Sequence, residues 1–198
     1  MYILVGGPKT RAFRVLWMLE EVGVTYDYHP EQPRSDAVRA VNPAGKVPIL
    51  IDGGVPITDS TAILTYLADK HGVMTHTAGT LERARQDSLT QFLLDEFDAN
   101  LWTAARHSFI LPKELRIGGI KDTLRWEFER SQKALVQRMS GPFVAGDQMT
   151  VPDIILTHCG TWAENASFEI TEPDLAAYLG RMRERPAYQR SWSIRQSM

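Results

Sequence analysis

A chain of 198 residues is long for one compact core and short for two ordinary ones. With 43% hydrophobic, 23% charged and 9% aromatic residues it has the apolar content to bury a core, which excludes a disordered or collagen-like polymer. Twenty-two Lys and Arg against 24 Asp and Glu leave a net charge of −2 with no basic block, so a nucleic-acid surface is not expected. The lone cysteine, Cys159, cannot form an internal disulfide or dominate a zinc site; this fits a reducing, cytoplasmic setting, and no metal is expected. The opening Met1–Gly7 run is too short for a signal peptide, and no apolar stretch approaches the roughly 18 residues of a membrane span. The sequon Asn165-Ala166-Ser167 is discounted as a chance match.

In chain order, Tyr2–Val5 closed by Gly6-Gly7-Pro8 reads as a buried strand and turn. From Thr10 to about Val22 nearly every position is apolar except Arg11, Arg14, Glu20 and Glu21, so this helix must be covered on more than one side. Gly23 ends it, and Thr25–Tyr28 has the composition of a second strand, giving a right-handed strand–helix–strand unit with parallel strands. A short helix over Ser35–Val41 follows. Val47–Ile51 and Val55–Thr58 then flank Asp52-Gly53-Gly54 as an antiparallel hairpin. A helix over Ser60–His71 completes a βαβ, short helix, ββ, α order, which a mixed four-stranded sheet of thioredoxin-like arrangement satisfies.

After His71-Gly72 the pattern changes. Residues 73–80 read as a linker, and no strand is expected beyond it. Leu89, Phe92, Leu93, Phe97 and Leu101 recur at spacings of three and four, which predicts one long helix over Leu81–Phe109. Further helices are expected around Leu124–Leu135 and Leu175–Met182. Thr150-Val151-Pro152-Asp153 opens another, with a capping residue, Pro in the first turn and an acid three positions after the cap. The expected fold is therefore α/β plus all-α: a thioredoxin-like domain over 1–72 and an all-helical domain over 81–198.

Two segments bracket the hairpin and could carry chemistry. Pro48 cannot donate to a ladder, so a strand entered there leaves the Val47 N–H and C=O outward and unpaired, ready for an extended peptide; Pro48 also reads as an ordinary strand-entry residue. Asp59 and Ser60 sit at a helix start, where free N–H groups attract a carboxylate while Asp59 attracts an ammonium; both also read as simple caps.

Gly45-Lys46-Val47-Pro48, Asp59-Ser60 with its apolar helix, Thr150–Asp153 and the run Arg14–Gly23 together resemble the glutathione transferases, specifically the serine-type theta, phi and zeta-like branches. The resemblance covers essentially the whole chain. It implies glutathione as co-substrate, with Ser60 taking the γ-glutamyl carboxylate, Asp59 the ammonium, Val47 before a cis Pro48 the cysteinyl unit, and Lys46 the glycyl carboxylate. Counting back four from Arg14 places the thiolate-stabilising hydroxyl on Thr10, where the family usually has Ser; Arg11 and the first-turn N–H groups stand in reserve. The resemblance also implies a detoxifying homodimer acting on a small apolar electrophile held between the domains against the long helix, where Trp102, Arg106, His107 and Phe109 are candidates that also read as core or surface residues. A glutathione-dependent isomerase or dehalogenase and a non-catalytic binding member are the alternatives. Thr10-Arg11-Ala12 stands where zeta-type isomerases carry Ser-Ser-Cys, which weighs against isomerase activity.

Overall fold

The computed structural model describes residues 1–198. Contacts divide the chain into two compact units, Met1–Thr75 with Arg183–Met198, and His76–Met182.

The first unit is built on a mixed sheet of order β2-β1-β3-β4, with β1 Tyr2–Val5, β2 Tyr26–His29, β3 Ile49–Asp52 and β4 Val55–Thr58. β1 pairs parallel with β2 (Leu4 opposite Tyr28) and antiparallel with β3 (Leu4 opposite Leu50). The β3–β4 hairpin turns through Gly53 and Gly54, both at positive φ, a conformation a side chain would strain. β3 starts two residues later than its apolar run suggests: Pro48 has no N–H to give, and Val47 stays outside the ladder.

Helix α1, Ala12–Val22, buries every residue from Ala12 to Leu19, and Gly23 caps it in the left-handed conformation by donating its N–H to Leu19. It starts two residues after the expected Thr10, because Pro8 to Arg11 fold into a tight turn. α2 (Asp36–Val41) contributes Val38 to a core with Val5 and Ile49. α3 (Ser60–His71) packs on α1.

The span expected for the helical domain, 81–198, includes the last helix. Contacts instead group the last helix, Pro186–Gln196, with the first unit, where it covers the remaining apolar side of α1. Phe13 and Trp17 meet Tyr188 edge-on at 5.4 and 5.0 Å between ring centroids.

In the second unit the expected long helix is one continuous run, but it is not uniform. α4 (Leu81–Leu93) and α5 (Ala99–Ala105) are each followed by a π turn, Leu94–Asp98 and Arg106–Ile110. Each π turn widens the helix by one residue, which periodicity alone does not reveal. A short 3₁₀ turn, Lys113–Leu115, leads to α6 (Ile120–Val136), α7 (Val151–Asn165) and α8 (Pro173–Arg183); α9 is the Pro186–Gln196 helix described above. Phe97, Phe128 and Phe168 stack edge-on through the core.

The expected cap on α7 is present in full. Asp153 accepts from the Thr150 N–H (2.7 Å), the Val144 N–H (2.9 Å) and the Tyr178 hydroxyl (2.6 Å). Burial raises its carboxyl above the ordinary range, and these donors oppose that rise. No helix is long and apolar enough to cross a membrane.

Candidate functional site

Three segments of the first unit converge at the C-terminal end of β1. Gly6 follows β1 at φ +139°, and a Cβ there would lie 2.9 Å from the Cβ atoms of both Ala12 and Val47. Only glycine lets the loop after β1, the start of α1 and the turn before β3 approach so closely. Tyr28, across from Leu4 on β2, donates its hydroxyl to the Gly6 carbonyl at 3.0 Å and fixes the loop from the other side.

Within that loop the Thr10 side chain makes two local bonds. Its hydroxyl donates to the Gly7 carbonyl at 2.7 Å and accepts from the Ala12 N–H at 3.1 Å. Thr10 thus acts as a turn and cap residue with its single proton engaged, and a ligand sulfur would have to draw that proton off Gly7. Arg11, half-buried, is the residue just before α1.

The Val47–Pro48 peptide is cis. The Val47 N–H and C=O make no backbone hydrogen bond, so one residue of extended chain is available for pairing. Asn42 holds this turn by donating to the Lys46 carbonyl at 2.9 Å, and Lys46 itself is exposed.

At the start of α3, Asp59 is the cap: its Oδ1 accepts from the Thr61 and Ala62 N–H groups at 2.8 and 3.1 Å, leaving Oδ2 without a protein donor. Its backbone sits at φ 72°, ψ 125°, a conformation costing about 1–3 kcal/mol for a non-glycine residue, and such outliers cluster at binding sites. The caps on Thr61 and Ala62 leave the Ser60 N–H as the unclaimed donor of this first turn. The Ser60 hydroxyl accepts from Arg14 Nη1 at 3.4 Å, which leaves its own proton to give.

Arg14 is the site residue that sequence reading passed over. It is fully buried and ties α1 to Ser60. The signal was there: a guanidinium inside a helix apolar on most of its circumference has to be buried and therefore partnered.

Trp102, Arg106 and His107 lie in the second unit. Trp102 is on α5, and Arg106 and His107 open the second π turn. Arg106 donates to the Thr103 hydroxyl at 3.2 Å while its buried Nε has no partner. His107 accepts the Ile117 N–H on Nδ1 at 3.1 Å. Buried His158 and Cys159 stand on α7, within the core.

A sheet of this order, with a helix start and an unpaired strand entrance at one end, defines a thioredoxin-like domain, here followed by helices. A family model described as "Glutathione S-transferase, N-terminal domain" matches residues 10–70. Glutathione S-transferase Z2 of Arabidopsis thaliana is 29% identical over 190 residues, covering 90% of this chain and 84% of its own length. Glutathione S-transferase 3 of Schizosaccharomyces pombe is 38% identical over 76 residues, and bovine glutathione S-transferase theta-1 is 52% identical over 52 residues. The matched stretches span only 31% and 22% of those two relatives. Among solved structures, a glutathione transferase of Methylococcus capsulatus superposes with a TM-score of 0.83 at 25% identity and full coverage of both chains. The theta-class enzyme of Xanthomonas axonopodis, solved with glutathione bound, gives 0.77 at 27% identity and 96% coverage of each. Residues 10–70 thus match a glutathione S-transferase N-terminal domain, and the chain as a whole is similar in sequence and fold to glutathione transferases.

Proposed function

We propose that this protein is a glutathione transferase that activates the thiol of glutathione and adds it to a small apolar electrophile. The observation that carries the reading is the pairing, in one unit, of unclaimed Val47 backbone groups beside cis Pro48 with the unclaimed N–H and hydroxyl proton of Ser60. An extended tripeptide with a carboxylate at one end matches that pattern of donors and acceptors. Ser60 takes the γ-glutamyl carboxylate and Asp59 Oδ2 the ammonium. Val47 pairs with the cysteinyl unit, and Lys46 meets the glycyl carboxylate.

Thr10 then stabilises the thiolate, with Arg11 and the first N–H groups of α1 beside it. Lowering a thiol from about 8.5 to about 6.5 takes roughly 2.7 kcal/mol of preferential thiolate stabilisation. A hydrogen bond to a charged group contributes about 1.5–3 kcal/mol and a helix start about 0.3–1, so a hydroxyl and α1 together suffice. Once the thiol proton has passed to solvent, the thiolate sulfur bonds to carbon either as the electrophile's leaving group departs with the bonding pair or as the π pair of an activated double bond is displaced and takes up a proton. Trp102, Arg106 and His107 are assigned to the electrophile. Detoxification, a cytoplasmic location and a homodimer belong to the same reading.

One observation favours a second reading, a non-catalytic glutathione-binding member: the Thr10 proton is already committed to Gly7. Calorimetric titration with glutathione, followed by conjugation assays on a generic aromatic electrophile, separates the two. Ser60→Ala is expected to weaken glutathione binding about 10- to 100-fold, as loss of a hydrogen bond to a charged group implies. Thr10→Ala is expected to keep binding and lose at least tenfold in kcat. Binding without turnover in the wild type selects the second reading, and no binding at all removes both.

A further inference from the structure

We propose that Arg195, on the last helix, is a positioning residue for the loop that carries Thr10, and that its charge favours the thiolate formed there. The inference rests on the glutathione-activating reading above and adds to it a residue distant in sequence from every motif discussed.

The geometry begins with how α9 is held. At its start, Arg185 grips Glu21 with Nε and Nη2 at 2.6 and 2.8 Å. One turn on, Arg190 reaches the Glu20 carboxylate at 2.6 Å and the Glu20 carbonyl at 3.0 Å. Tyr188 and Trp192, stacked on each other, then meet Phe13 at 5.4 and 6.1 Å. The start of α9 is held at Glu21, near the end of α1, while Trp192 and Arg195 near its own end meet Phe13 and Pro8, so the two helices run antiparallel and the end of α9 lies beside the beginning of α1.

Arg195 occupies that end. Its guanidinium lies 4.9 Å over the Trp192 ring and 5.7 Å over the Phe13 ring, and Nη1 donates to the Pro8 carbonyl at 3.3 Å. Pro8 is the residue between Gly7, whose carbonyl accepts both the Thr10 N–H and the Thr10 hydroxyl, and the Lys9-Thr10 pair. The loop is therefore fixed from inside by Thr10 and from outside by Arg195. Two aromatic faces hold the guanidinium in place, a geometry that a planar delocalised cation satisfies and an ammonium satisfies less well.

The charge has a second consequence. An antiparallel α9 brings its negative dipole end toward the start of α1, where an anion is to be stabilised. A cation in the last turn of α9 offsets that end, so the positive start of α1 acts on the sulfur unopposed. A merely structural arginine would serve stability alone, and the two roles are separable by experiment.

The test uses the full-length protein and its Arg195→Ala, Arg195→Gln and Arg195→Lys variants. The pKa of glutathione's thiol in the complex is read from thiolate ultraviolet absorbance against pH, alongside kcat, the KM for glutathione and the melting temperature. The expected result for Arg195→Ala is a bound-thiol pKa higher by about one unit and a roughly tenfold lower kcat, with the KM for glutathione within about twofold. Arg195→Lys is expected to recover at least half of the pKa change. Arg195→Gln, which keeps a donor and most of the stem, gives the same reading if the alanine variant does not fold. A lower melting temperature with an unmoved thiol pKa in the Ala or Gln variant overturns the proposal and leaves the transferase reading intact. Absence of any thiolate signal in the wild type overturns both.

Discussion

Tyr28 shows how a single side chain couples the sheet to the site. Its hydroxyl, donating to Gly6, is half-buried, and burial pushes its pKa up to about 12. The phenol in the unfolded chain ionises near 10, so between about pH 10 and 12 the unfolded state has lost a proton that the folded state still holds. Stability is therefore flat in this respect below about pH 10 and falls as pH rises through that window. Discounted for the solvated half of the ring, the loss is about 1 kcal/mol. Denaturant unfolding of wild type and Tyr28→Phe across pH 9 to 12 checks this: the phenylalanine variant is expected to start lower, by the lost hydrogen bond, and to decline less steeply. Tyr26, donating to Glu20, is raised in the same direction, burial first and the Glu20 bond second, so some slope persists in the variant.

The same scale shows what residue identity disclosed in advance. Asp59 was legible as a cap because its side-chain chemistry is local, reaching the N–H groups two and three positions on. The Arg14–Ser60 contact was not, since it joins positions 46 apart and only the packing of α1 on α3 creates it.

Among elements, α1 and α7 are the two helices buried on nearly all sides, and each gains its cover differently. In α7 the cover is so close that a Cβ on Gly160 would lie 2.6 and 2.8 Å from the δ-methyl carbons of Leu179 on α8. Glycine inside a helix costs about 1 kcal/mol against alanine, so a Gly160→Ala change in an open position would stabilise. Here Leu179 is itself buried and has little room to turn away, so overpacking wins and a net loss of about 1–3 kcal/mol is expected. Thermal unfolding of Gly160→Ala decides the sign. The helices themselves were readable from the sequence because apolar spacing follows burial: Leu89, Leu93, Phe97 and Leu101 are all buried as their recurrence implies. The π turns were not, since one extra residue per turn leaves that recurrence almost intact.

For the molecule as a whole, the decisive feature is that its first unit is discontinuous in sequence. An apolar α1 announced that something besides the sheet must cover it, but the helix that does so, Pro186–Gln196, is not among those expected from the sequence, since few of its residues are apolar. Removal of residues 183–198 is expected to expose Phe13 and Trp17 and strip Glu20 and Glu21 of their arginines. Hydrogen exchange on the shortened chain should show protection lost across Met1–Thr75 and kept across His76–Met182; retained protection in β1 and α1 would contradict the role given to α9.

This arrangement also bears on how the chain is made. A ribosome delivers residues in order at about 5–20 per second, and domains generally fold as they emerge. Here the sheet and α1 are made well before α9, which covers them, whereas the elements of the other unit lie in the single stretch His76–Met182. The nascent polypeptide therefore carries Phe13, Trp17 and their neighbours without this cover over the interval that separates α1 from α9, a natural target for chaperones.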